Sequence, residues 1–139
     1  MDILEPMVAY ITADDNHTLR MIELARQGVN FEAFDSFAAR CDFSIREWSE
    51  YLHISERTMQ RYKSENKAFE PLQSEKILEI ALLFYRGIEI FGDDEKFTTW
   101  LGMNNIALGN IKPKSLLDSS FGISLLNDEL SRISYGVLA

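Results

Sequence analysis

Between Ser44 and Ser64 the chain reads SIREWSEYLHISERTMQRYKS, and this stretch constrains the fold more than any other. Ser44 and Ser55 each stand directly before a segment of helical periodicity, where a hydroxyl accepts from the free N–H groups of a first turn. Two short helices joined by so tight a turn must cross closely, and close crossing restricts the residue type at each position. The first helix needs an apolar anchor, supplied by Ile45, then inward Trp48, then a small residue where the backbones approach, supplied by Ser49. The turn Leu52-His53-Ile54 places apolar side chains on both sides of a left-handed position. From the second helix, Met59 and Tyr62 face inward. The pattern predicts a helix-turn-helix over about 44–64. Glycine is the usual occupant of the left-handed position, and this chain has His53 there. Histidine is among the few side chains enriched at positive φ, so the turn is expected to persist with some strain. On that basis His53→Gly is expected to raise stability by up to about 1 kcal/mol.

The outward residues of the second helix suit groove chemistry. Arg57 and Arg61 lie one turn apart and can offer a fork to guanine or grip phosphate, while Gln60 suits adenine. Ser55, beside free backbone N–H groups, is placed to donate to a phosphate. Glu56 reads cytosine or simply caps the helix, and Thr58 and Lys63 complete the candidate DNA-contacting set. The competing reading is an ordinary solvated face. Charge bears on the choice. The chain carries net charge −8, yet within 55–67 four bases stand against two acids. The acidic surroundings repel phosphate, so one copy alone is expected to bind weakly. Two copies on a palindromic operator would compensate.

The rest of the chain also reads as helix. No segment alternates like a strand, and proline occurs only at 6, 71 and 113. After a loose start, a helix is expected from about Asn16 to Gln27, with Leu19, Ile22 and Arg26 on one face and Gly28 as its stop. Asn30 caps a helix in which Phe31, Phe34 and Ala38 share a face. Pro71 opens a long helix to about Phe91, with Leu78, Ala81, Phe84, Ile88 and Phe91 in a stripe. Asp93 caps the next, and Pro113 opens a short one after the loop MNNIALGNIK. Ser119 or Ser120 starts a last helix with Ile123, Leu126, Leu130 and Ile133 inward and Gly136 as its terminator. Two helical halves, 1–69 and 70–139, are expected.

Several function classes are excluded. Cys41 is the only cysteine, and His17 and His53 are the only histidines, so neither a disulfide nor a thiolate or histidine-rich metal site is expected. Cys41 and His53, 12 residues apart, form the nearest thiol–imidazole pair in sequence, and a buried core cysteine explains Cys41 better than catalysis; no enzyme and no cofactor are expected. The start MDILEPMVAYITADDNH lacks the basic residues of a signal peptide, and no apolar run approaches the ~20 residues of a membrane helix. A cytoplasmic protein without membrane association is expected.

A set of C-terminal motifs adds a resemblance. Phe97-Thr-Thr-Trp100-Leu101 is followed by Asn105-Ile-Ala-Leu-Gly109, Pro113, Leu116-Leu117-Asp118, Gly122, and Arg132-Ile-Ser-Tyr135-Gly136-Val137. In that order, and with Ile54-Ser55-Glu-Arg57-Thr58-Met-Gln60-Arg61 upstream, they resemble the Xre/MbcA/ParS antitoxins over about residues 20–139. These belong to type II toxin–antitoxin modules and are usually paired with a RES-domain toxin. The resemblance implies an all-α chain: an N-terminal, Xre-like helix-turn-helix region and a small helical C-terminal toxin-binding domain. It implies a homodimer or higher hetero-oligomer that binds operator DNA and covers the active-site cleft of an NAD-consuming toxin. Carried over by motif, the toxin-facing residues are Asn105, Leu108, Gly109, Lys112, Arg132, Tyr135 and Gly136. The chain departs from the family pattern at His53 and at Gly109-Asn110, where a glycine pair is usual; asparagine tolerates positive φ. A stand-alone helix-turn-helix regulator, with a dimerising or ligand-binding C-terminal half, is the alternative.

Overall fold

The computed structural model describes the backbone of residues 15–138 and the side chains of 18–136. The loose start expected before Asn16, and the side chain of Val137, lie outside that description. The described residues are helical, with no strand beyond two isolated bridges, Asn30 with Ala68 and Asn105 with Ile111. The order is α1 (Asp15–Gln27), α2 (Phe31–Ala38), α3 (Ile45–Leu52), α4 (Glu56–Glu65), α5 (Pro71–Phe91) and α6 (Asp94–Leu101). Two 3-10 turns, Ile106–Leu108 and Pro113–Leu116, then lead to α7 (Ser120–Leu138).

Local chemistry starts and stops these helices as the sequence pattern predicts. Gly28, at φ +93°, ends α1, and a Cβ there would also collide with the carbonyl oxygen of Phe69. Asn30 accepts from the Ala33 N–H at 2.8 Å and Asp93 from the Lys96 N–H at 2.7 Å. Pro71 occupies the first turn of α5, where its missing N–H costs nothing.

Helix α5 is the central strut. Ile77, Leu78, Ile80, Ala81, Leu83 and Phe84 are all buried, so it is covered on nearly every side, by α1, α3, α6 and α7. In the N-terminal half the core is aromatic: Phe34 meets Trp48 edge-on at 4.9 Å and Phe69 at 5.1 Å, and Phe37 meets Phe84 at 5.8 Å. Gly87 leaves room for the Phe97 ring, which brings α6 onto the end of α5. Helix α7 runs alongside α5 in the same direction. Ser120 bonds Lys76 and Glu79 at one end, and Arg86 bonds Asn127 and Ser131 further along.

Three expectations are corrected. The inward face of α1 is Met21, Leu24 and Ala25; Leu19 and Ile22 are exposed at 60% and 40%. The two stripes lie side by side on the helix, and the position of α5 selects between them. Ile45 is not a buried anchor but 38% exposed: it lines an open concavity together with Phe34, Phe43 and Trp48. Gly136 does not terminate α7, which continues to Leu138; its torsion is helical, and glycine stops a helix only when it turns left-handed.

Candidate functional site

The helix-turn-helix is built by caps at both of its helices. The Ser44 hydroxyl accepts from the Glu47 N–H, and Glu47 Oε1 accepts from the Ser44 N–H, each at 3.0 Å, a complete capping box. His53 is left-handed, φ 57° and ψ 40°, and the Ile54 N–H reaches back to the Ser49 carbonyl at 3.1 Å. Ser49 is buried at the helix crossing, with Trp48, Leu52, Met59 and Tyr62 behind it. Every position of the predicted spacing is therefore filled as expected except Ile45. Ser55 caps α4 through the Thr58 N–H at 3.0 Å, and its own hydroxyl donates to Thr58 Oγ1 at 2.9 Å. The proton expected for a phosphate is engaged within the cap.

Outward, Glu56, Arg57, Gln60, Arg61 and Lys63 are exposed and Thr58 is half-buried. Arg57, Thr58, Gln60, Arg61 and Ser64 border an open concavity of about 640 Å³. The Arg61 guanidinium lies 5.6 Å from the centre of the Tyr62 ring and Lys67 Nζ lies 5.2 Å from it. The buried tyrosine thus steadies two cations at the surface.

A second set of candidates lies in the C-terminal half. The loop after α6 closes on itself: the Asn105 N–H donates to the Ile111 carbonyl and the Asn110 N–H to the Asn105 carbonyl, each at 2.8 Å. Gly109 and Asn110 take successive positive φ values of 89° and 62°, so asparagine does adopt the conformation usual for a second glycine. Asn105 and Leu108 are half-buried, the latter packed against the core, while Gly109 and Lys112 are exposed. The loop's most exposed apolar residues are Ile106 at 87% and Met103 at 61%, neither of which the sequence pattern marks as a surface residue. On α7, Arg132 is exposed, its Nε 2.9 Å from the Oε2 of buried Glu129, and Tyr135 is 73% exposed. Gly136 is exposed within the helix. Among the described residues, no hydrogen bond, ion pair or ring contact joins the 105–112 loop to Arg132 or Tyr135.

Two bonds tie the helix-turn-helix to the segment between these candidates. Lys114 Nζ sits 2.8 Å from Glu47 Oε2, so one carboxylate serves both the capping box and the ion pair. Burial pushes the Glu47 pKa up, but bonds from Lys114 and the Ser44 backbone outweigh it, and the net value is lowered. His53 Nε2 lies 2.7 Å from the Asp118 carbonyl oxygen. A carbonyl only accepts, so Nε2 carries the proton and donates. His53 is therefore not a tolerated irregularity of the turn: its ring makes a bond that glycine could not. The simple expectation that His53→Gly stabilises is revised accordingly.

Cys41 is buried, burial drives its thiol pKa well up, and its Sγ contacts the Phe37 carbonyl at 3.5 Å. Among the described residues no His, Cys, Asp and Glu grouping could hold a metal, and no helix is long and apolar enough to cross a membrane.

The fold and its surfaces define a helix-turn-helix protein whose second half presents a separate, partly apolar surface. Comparison with known families assigns both parts. Residues 20–82 match the antitoxin Xre-like helix-turn-helix domain, and residues 86–136 match the antitoxin Xre/MbcA/ParS C-terminal toxin-binding domain. The chain belongs to the Xre/MbcA/ParS antitoxins, a family of toxin- and DNA-binding proteins rather than enzymes. It is similar to Antitoxin Xre of Yersinia enterocolitica serotype O:8 / biotype 1B, 24% identical over 120 residues, or 86% of this chain and 81% of that protein.

Proposed function

We propose that the chain neutralises a RES-domain, NAD-consuming toxin by covering its active-site cleft, and that it represses its own operon through the helix-turn-helix. The observation that carries the second part is the division of α4: Met59 and Tyr62 buried, Arg57, Gln60 and Arg61 exposed around an open concavity. The first part is supported by the outward placement of Arg132 and Tyr135 in the toxin-binding domain, where a cation and a phenol suit an anion-lined nucleotide cleft. In this reading residues 1–69 face the DNA and 70–139 face the toxin, with α5 as the strut between them. The net charge of −8 makes a homodimer or toxin-bridged hetero-oligomer on a palindromic operator the effective DNA-binding form, since two weak contacts in one assembly multiply.

Co-expression with the adjoining reading frame is the test. Induction of that neighbour alone should deplete NAD and arrest growth, and this chain should restore both and co-purify with it. A neighbour that leaves NAD untouched removes the RES assignment. A neighbour that is harmless and does not co-purify leaves a stand-alone regulator.

A further inference from the structure

The outward face of α7 carries an anomaly. Phe121 is 90% exposed and Leu125, one turn on, is 42% exposed. Following the same stripe in steps of three and four leads to Asp128, Arg132 and Tyr135, all exposed. The opposite face, with Ile123, Leu126 and Leu130, is buried in the core. A phenylalanine so exposed loses the stabilisation that burial of its ring would give, and large exposed apolar groups that cluster mark interaction sites.

The ring is not exposed by looseness. Gly122, its neighbour, is buried, and its face of the helix presses so closely onto the Leu116 carbonyl that a Cβ would collide with the oxygen. Ser119 Oγ accepts from the Gly122 N–H at 2.9 Å, and Ser120 is held by Lys76 and Glu79. With residues 119, 120 and 122 fixed, residue 121 has one direction left, outward. A rigid helix presenting an aromatic ring, with an aliphatic neighbour one turn away, is a pre-ordered anchor, and little conformational entropy is lost when it docks.

We propose that Phe121 and Leu125 are the apolar anchor of the toxin interface, inserted into an apolar groove of the toxin. This rests on the toxin-binding role of the C-terminal domain. Continuity argues for the toxin as occupant: Phe121 and Leu125 lie inside the matched domain, residues 86–136, on one stripe with Arg132 and Tyr135.

The test measures binding of the purified product of the adjoining reading frame by the full chain and by the double variant Phe121→Ser, Leu125→Ser. Both side chains face solvent, so the variant should keep its melting temperature and its affinity for a duplex spanning its own promoter. Its affinity for the toxin should fall about a hundred-fold or more, as truncation of a central aromatic anchor does. Sedimentation of each chain alone is run beside it. Toxin affinity within about three-fold of wild type overturns the proposal. So does a loss of self-association with toxin binding intact, which would make a second copy the occupant. If the wild-type chain itself does not bind that product, the toxin-binding reading fails and the proposal falls with it.

Discussion

Helices α4 and α7 use the same backbone and the same kind of serine-led start, yet their outer faces differ in chemistry. On α4 the exposed residues are Arg57, Gln60, Arg61 and Lys63, and the apolar ones are inside. On α7 Phe121, Leu125 and Tyr135 reach solvent, although the core beneath is complete. A polyanion is gripped by long cations and planar donors, which remain hydrated until they touch it. A protein partner is held by apolar area removed from water. On the proposed reading, one small core carries two recognition surfaces of opposite character, each stiffened from behind.

The largest effect expected along this comparison is on DNA. Arg57→Ala with Arg61→Ala should weaken operator binding at least about a hundred-fold, with toxin binding unchanged. The slope of log affinity against log salt should become shallower by about 0.9 for each phosphate that is no longer neutralised. Unchanged slope and affinity in anisotropy titrations would return α4 to an ordinary solvated face. Next comes Gly122→Ala, which places a methyl group against the Leu116 carbonyl and should cost about 3 kcal/mol in thermal or urea melts, because a backbone oxygen cannot rotate away. A melt identical to wild type would mean that Gly122 does not fix the outward position of Phe121.

The His53 pair sharpens how the two regions are joined. His53→Ala keeps the left-handed strain and loses the bond to Asp118, whereas His53→Gly loses the bond but relieves the strain. The glycine variant should melt near wild type, and the alanine variant about 1 kcal/mol below it. A glycine variant clearly more stable than wild type would strip the ring of its bridging role.

The smallest effect concerns the ion pair of Glu47 with Lys114. Because the folded-state pKa of Glu47 is lowered, the carboxylate contributes stability that is full above its ordinary pKa and lost as pH falls through the folded value. Lys114→Gln should therefore cost up to about 1 kcal/mol at pH 7, as a partly exposed pair does, and the difference should vanish in acid. A difference that persists at the acid end would assign the loss to packing of the lysine stem.

Much of the fold was legible because its signals are local. A cap is read from one hydroxyl or carboxylate beside a first turn, so Asn30, Ser44, Ser55 and Asp93 were identifiable, as was the left-handed His53. The helix crossing is nearly as local, and Ser49, Met59 and Tyr62 followed from spacing. What failed needed a neighbour distant in sequence. Leu19 and Ile22 form as good a stripe as Met21 and Leu24, and only packing against α5 chooses between them. Phe121, Ile106 and Met103 gave no signal as surface residues, because an apolar side chain in a helical pattern reads as core.

Sequence alone set where helices begin, how two of them cross, and which cations gather on α4, because these depend on torsion preferences and hydrogen bonds within a few residues. Tertiary structure decided which apolar stripes are covered, that His53 and Lys114 bind the helix-turn-helix to the second half, and that a phenylalanine stands in water. Those outcomes depend on which surfaces the folded core brings together, and helical periodicity carries no record of the partner.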